Sequence, residues 1–160
     1  MEDWKKNRIG SALRGENPTV ICRMKSGFAV LGDPQFLPGY CILLAYPKVS
    51  SLNALTVKER QDFLLDMSLL GDGIMDVCKP LRVNYEILGN MDAFLHAHVF
   101  PRYEWEEEER KRMPVWHYPR ENWSLPEYQF NEKAHGELKL QLADKLQELI
   151  KLYEQRKSQL

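Results

Sequence analysis

The spacing of apolar positions changes several times along this chain, and each change marks an element. Two β-branched or apolar runs, Thr19–Met24 (TVICRM) and Gly27–Gly32 (GFAVLG), flank a short polar break and predict a hairpin. Asp33–Gly39, with its two prolines and a glycine, is a loop signal. Tyr40–Pro47 (YCILLAYP) is a continuous apolar run and predicts a central strand. The period then becomes helical. Phe63, Met67, Leu70, Ile74 and Val77 fall on one stripe, Thr56 and Glu59 have capping-box spacing, and Pro80 closes the segment. Arg82–Leu88, a Gly89-Asn90 turn and Ala93–Phe100 read as strand, turn, strand, with Pro101 ending the second strand. Leu138, Leu142, Leu146, Leu149 and Tyr153 mark an amphipathic C-terminal helix.

These elements predict an α+β domain, an antiparallel sheet of about five strands with one long helix and a C-terminal helix. Residues 1–17 read as a polar arm or one loose helix, and residues 18–160 as the domain. Within it, 18–103 is the strand-rich core and 104–160 a charged, aromatic wrap followed by the last helix. The charge run after Tyr103 reads as a solvated face, and Trp105, Trp116, Trp123 and Tyr128 as a wrap packed onto the core. Gly71 and Gly73 lie inside the long helix, where each costs about 1 kcal/mol against Ala. That cost points to close approach of another backbone. A homodimer with this helix near the two-fold axis is the expectation, two-fold pairs being the commonest soluble assembly.

Composition narrows the classes. Apolar residues make up 44% and charged residues 28% of 160, a globular balance. A net charge of −1 supplies no basic excess, so no specific nucleic-acid partner is expected. No apolar run is long enough to span a bilayer, and the N-terminus lacks the apolar core of a secretory signal. No membrane association is expected, and the cytoplasm is the expected compartment. Cys22, Cys41 and Cys78 lack disulfide-framework or metal-knuckle spacing and read as buried structural thiols.

The candidate chemistry lies in Phe94–Tyr103, FLHAHVFPRY, which holds two of the four histidines. Side chains alternate along a strand, so Phe94, His96, His98 and Phe100 share one face and Leu95, Ala97 and Val99 the other. Two imidazoles therefore project side by side from a rigid support. Four readings stand at this level. The pair could be polar residues satisfied at a sheet surface. It could supply two metal ligands, with His117, His135, Glu86 or Asp92 as a third. One imidazole could attack while the other orients or donates to an anion. Or both could bind an anion without catalysis.

The run HAHVFPR resembles the end of the histidine triad motif, His-x-His-x-His followed by two apolar residues and often Pro-Arg. The order of SGFAVLGDPQFLPGYCILLAYP, the capped helix and VNYEILGN before the histidine strand is similar to that family over roughly residues 18 to 103. The wording is closest to bacterial branches related to diadenosine polyphosphate hydrolases. The resemblance implies a nucleotide hydrolase or nucleotidyltransferase acting at the α-phosphate of a dinucleoside polyphosphate or nucleoside phosphoramidate. His96 matches the family's nucleophile and His98 its phosphate-holding histidine. Phe94 stands where the triad's first histidine falls. Tyr40 stands where the family often has a further histidine, so two supporting groups are expected to be lost. Asp33, near the family's ribose-binding position, Asn90, in the turn before the motif, and Arg102, after it, are the nucleotide-binding candidates. The resemblance requires no metal or cofactor on the protein, although Mg²⁺ can arrive with a polyphosphate. It also suggests a homodimer. Two further classes stay open, a nucleotide sensor with little turnover and a metal-dependent hydrolase built on the HxH pair.

Overall fold

One sheet separates two sets of side chains, small and aliphatic on one face, mixed aromatic and aliphatic with both histidines on the other. The computed structural model describes residues 4–159. Met1, Glu2 and Asp3 of the expected arm, and Leu160, lie outside the described residues. The strands are β1 (Val20–Met24), β2 (Gly27–Leu31), β3 (Cys41–Ala45), β4 (Arg82–Glu86) and β5 (His96–Arg102). They form one five-stranded sheet in the order β1-β2-β3-β5-β4, with every neighbouring pair antiparallel. The helices are α1 (Arg8–Leu13), α2 (Val57–Cys78), α3 (Glu108–Lys111) and α4 (Glu132–Lys157).

The aliphatic face carries Ala29 and Leu31 of β2, Leu43 of β3 and Ala97 and Val99 of β5. It is covered by α2 through Phe63, Leu70 and Ile74 and by α4 through Leu142 and Leu146. Ala97 and Val99, the small residues of β5 on this face, let the helices come close. The α2 N-terminus has the capping box expected. Thr56 Oγ1 accepts from Glu59 N at 3.3 Å, and the Glu59 carboxylate accepts from Thr56 N at 2.7 Å. Lys79, in the left-handed region, ends the helix just before Pro80.

The opposite face carries Phe28, Val30, Ile42, Leu44, His96, His98 and Phe100. α1 closes one side of it, with Ile9 packed on Phe28, Val30 and Leu44. Phe28 and Val30 are thus core residues under α1. The wrap closes the other side. It consists of α3 and three 3-10 turns, and its aromatic residues surround Phe36 and Phe100.

Two expectations are corrected here. β5 begins at His96, not Ala93, and runs through Pro101 rather than stopping before it. Pro101 is tolerated because β3 has already ended, its last pair being Cys41 with Val99. The α2 glycines, in turn, face this chain's own side chains. A Cβ at Gly71 would collide with the Tyr85 hydroxyl of β4, and one at Gly73 would press on Leu146 of α4 at 3.0 Å. The close approach they permit is internal, so they are no argument for a second copy at this helix.

Candidate active site

β5 lies between β3 and β4, so both histidines rise from the middle of the sheet rather than from an edge. Their rings are perpendicular, with centroids 4.9 Å apart. His96 is 7% exposed. Its Nδ1 lies 2.8 Å from the Phe94 carbonyl oxygen. A carbonyl can only accept, so Nδ1 carries a proton, and in the neutral form of the ring Nε2 presents its lone pair.

His98 is arranged the other way round. Its Nδ1 lies 2.7 Å from the Tyr40 hydroxyl. Tyr40 is buried and stacked on Phe100 at 4.1 Å. Burial pushes its phenol well above the ordinary value, so it keeps its proton. Among the described residues that proton has no acceptor but His98 Nδ1. His98 therefore carries its own proton on Nε2. Burial, helped by the neighbouring His96 and weakly opposed by Asp92, brings the His98 pKa down to about 4. At neutral pH this ring is an uncharged donor. Two imidazoles on one strand face are held in opposite tautomers, one offering a lone pair and the other an N–H.

Tyr40 had counted as a lost group, because the resemblance puts a histidine there. The structure corrects this, since the phenol supplies the partner His98 needs. Gly32 makes room for it, because a Cβ there would run into the Tyr40 ring. Phe94 lies before the strand. Its ring is 4.9 Å from that of His96, and Lys48 Nζ sits 5.1 Å above it. Trp116, from the wrap, stands perpendicular to His98 at 5.4 Å and donates its Nε1–H to Glu86, the residue opposite His98 on β4. Sequence reading found neither the Tyr40 nor the Trp116 contact. The only trace of the first was the position Tyr40 occupies.

The other candidates are scattered. Arg102 is a correction. It is 3% exposed, and all five N–H groups of its guanidinium are committed. They reach the Glu106 carboxylate, Asn84 Oδ1 and the carbonyls of Arg110 and Met113, which leaves no donor for a substrate. Burial pushes the Glu106 carboxyl up, but Arg102, the Tyr118 hydroxyl and the Tyr103 N–H together hold it below the usual range. Arg102 thus ties the wrap to β5. The Asp33 carboxylate forms a two-point pair with Arg8 at 2.9 and 2.7 Å, with Lys5 at 3.4 Å. Burial raises its pKa, and these cations more than offset the effect. Asn90 is exposed in the connection between β4 and β5. Among the described residues no group of three or more His, Cys, Asp or Glu side chains is placed to hold a metal ion. His135 lies on α4, where its Nδ1 accepts from Asn131 N and its ring stacks on Phe130. No helix among the described residues is long and apolar enough to cross a membrane.

No protein-family model matches the chain, and no curated protein matches it either. Solved structures do. A histidine triad protein of Sinorhizobium meliloti 1021 is 18% identical over 91% of this chain and 96% of its own, with a TM-score of 0.69. A histidine triad protein of Marinobacter aquaeolei VT8 is 23% identical over 81% and 89%, with a TM-score of 0.67. The diadenosine triphosphate hydrolase of Plasmodium falciparum is 19% identical over 58% and 68%, with a TM-score of 0.50. The chain has the fold of the histidine triad proteins, the class its motif resembles.

Proposed function

We propose that this chain is a histidine triad enzyme that cleaves a nucleotide conjugate at its α-phosphate through a nucleotidyl-His96 intermediate. The observation that carries the reading is the pair of Nδ1 partners, a carbonyl oxygen for His96 and a phenol for His98, which sets the two rings in opposite tautomers. In the first step the Nε2 lone pair of His96 attacks phosphorus, and the bond to the leaving group breaks. The leaving group departs with that electron pair and takes a proton. In the second step water attacks the same phosphorus, the N–P bond breaks, and nucleoside monophosphate is released. The Nε2–H of His98 donates to a non-bridging oxygen and stabilises the charge that builds there. Splitting the displacement lets one imidazole serve both halves. Asn90 and Asp33 act as nucleotide contacts within this reading, the first from the connection before β5 and the second through the lone pairs that Arg8 and Lys5 leave unused. The substrate is a dinucleoside polyphosphate or a nucleoside phosphoramidate, and any Mg²⁺ comes with the polyphosphate.

We infer further that the enzyme works as a homodimer. Leu64 and Met75 of α2, Leu81 beside β4 and Tyr85 on it are exposed apolar residues next to an unpaired edge strand. Sedimentation tests this, and a mass of one chain at micromolar concentration rejects it.

The chemistry is tested by mixing the protein with α-³²P-labelled adenosine conjugates, quenching in alkali and looking for acid-labile label on the chain. His96→Ala is expected to abolish label and lower turnover by about 10⁴-fold or more, with the far-ultraviolet dichroism unchanged. Wild-type-like hydrolysis by the folded variant ends the assignment. Nucleotide bound without label or product would instead identify a sensor.

A further inference from the structure

We propose that Trp116 is a stacking platform for an aromatic ring in the leaving group, so that the site selects conjugates carrying a ring on that side. The inference rests on the nucleotidyl-transfer reading above and names a specificity residue for it. The first observation is that the indole is fixed. One face stacks on Trp123 at 4.9 Å and 14°, the N–H is held by Glu86, and the ring stands perpendicular to His98 and Phe100 at 5.4 and 5.7 Å. The second is that 42% of the residue is nevertheless exposed. Among the described residues no ring besides Trp123, His98 and Phe100 packs on the indole, which leaves part of it open to solvent. A rigid, half-open tryptophan beside a phosphate donor offers stacking area without the entropy cost of ordering a side chain on binding.

Its side of the site determines which half of the substrate it meets. On the β3 side, His96 and His98 oppose Leu44 and Ile42, and the face beyond is apolar and closed by α1. On the β4 side, His98 opposes Glu86, which carries Trp116. Trp116 makes ring contact with His98 and not with His96. A group reaching it has passed beyond the phosphate-holding imidazole, as the departing half of the substrate does. The Glu86 carboxylate is occupied by the indole N–H, and it sets the indole plane.

The test separates this inference from its parent. Diadenosine tetraphosphate and adenosine tetraphosphate share the nucleotidyl half, and only the first has a base in the leaving half. Their affinities are measured by calorimetry on His96→Ala protein, which cannot turn them over. The expected result is that the dinucleotide binds about tenfold tighter, the order of one base–aromatic stack. Adding Trp116→Ala should bring that ratio close to one while adenosine tetraphosphate affinity stays within about twofold, and Trp116→Phe should keep most of the ratio. The proposal is overturned by a ratio unaffected by Trp116→Ala, by equal weakening of both ligands, or by a changed sedimentation mass that marks the indole as a subunit contact. If both nucleotides bind His96→Ala equally, the parent reading stands and this one fails. If neither binds, both fail.

Discussion

His96 and His98 sit two residues apart on the same face of the same strand, yet they are held by different kinds of partner. His96 is oriented by a main-chain carbonyl, Phe94 O, whose position follows from how the chain enters β5. His98 is oriented by side chains, with Tyr40 on its Nδ1 and Trp116 against its ring. Those side chains come from the start of β3 and from the wrap. The difference teaches where substitution can act. A group aimed by backbone survives changes of its neighbours' side chains, whereas a group aimed by side chains is retuned by any of them.

The sharpest break comes from Arg102→Ala. It leaves Glu106, whose side chain is fully buried, without its counter-charge, and the wrap without its anchor. The expected loss is about 3–5 kcal/mol of stability, read from denaturant midpoints. The damage should fall on the His98 flank. Near-ultraviolet dichroism from the stacked Trp116 and Trp123 should fade in the fraction still folded. A variant with the parent's midpoint would show that the wrap is held some other way.

Tyr40→Phe tests the tautomer assignment directly. The ring stack on Phe100 is kept and one buried hydrogen bond is lost, about 1 kcal/mol of stability. Turnover should drop roughly tenfold, because His98 no longer offers a fixed N–H. Nitrogen chemical shifts should show His98 moving from a pure Nε2–H form toward a mixture while His96 stays as it was. If His98 is an Nδ1–H ring in the parent, the assignment is wrong. A pH series adds to this. The folded His98 titrates at about 4 against an ordinary 6.5. Between those values the unfolded chain binds a proton the folded chain does not, so stability falls as pH drops from 6.5 toward 4. His98→Asn should flatten that slope, and an unchanged slope would assign it to another group.

Phe94→His has the smallest expected effect. It restores the triad's first histidine, but His96 is held by the carbonyl of residue 94, which any side chain leaves in place. The fold should persist and turnover should stay within about threefold of the parent. A loss as large as that expected for Tyr40→Phe would mean that the Phe94 ring, not the carbonyl, aims His96, and would erase the contrast between the two histidines.

Local pattern made much of this legible. Period-two alternation in HAHVFPR fixed which residues share a face, because side chains on a strand have no other choice. The Thr56–Glu59 cap and the apolar stripes located the two long helices, since capping and amphipathicity act within a few residues. The ends of β5 escape this reading because strand ends depend on where the partner strand ends. The sequence marks Gly71 and Gly73 as sites of close approach, and the side chains that approach them belong to this chain. Their partners, Tyr85 and Leu146, meet them only once β4 and α4 pack on α2.

What the sequence determined by itself was therefore the inventory: two imidazoles on one face of a strand, in a domain of known element order. Only the tertiary structure decided what each imidazole does. Tyr40 lies 58 positions from His98, and Arg102 is bonded to Asn84, 18 positions away on the neighbouring strand. No periodicity reaches that far. The tautomer of a histidine depends on whether its second nitrogen faces a donor or an acceptor, and that is fixed by which strands lie side by side.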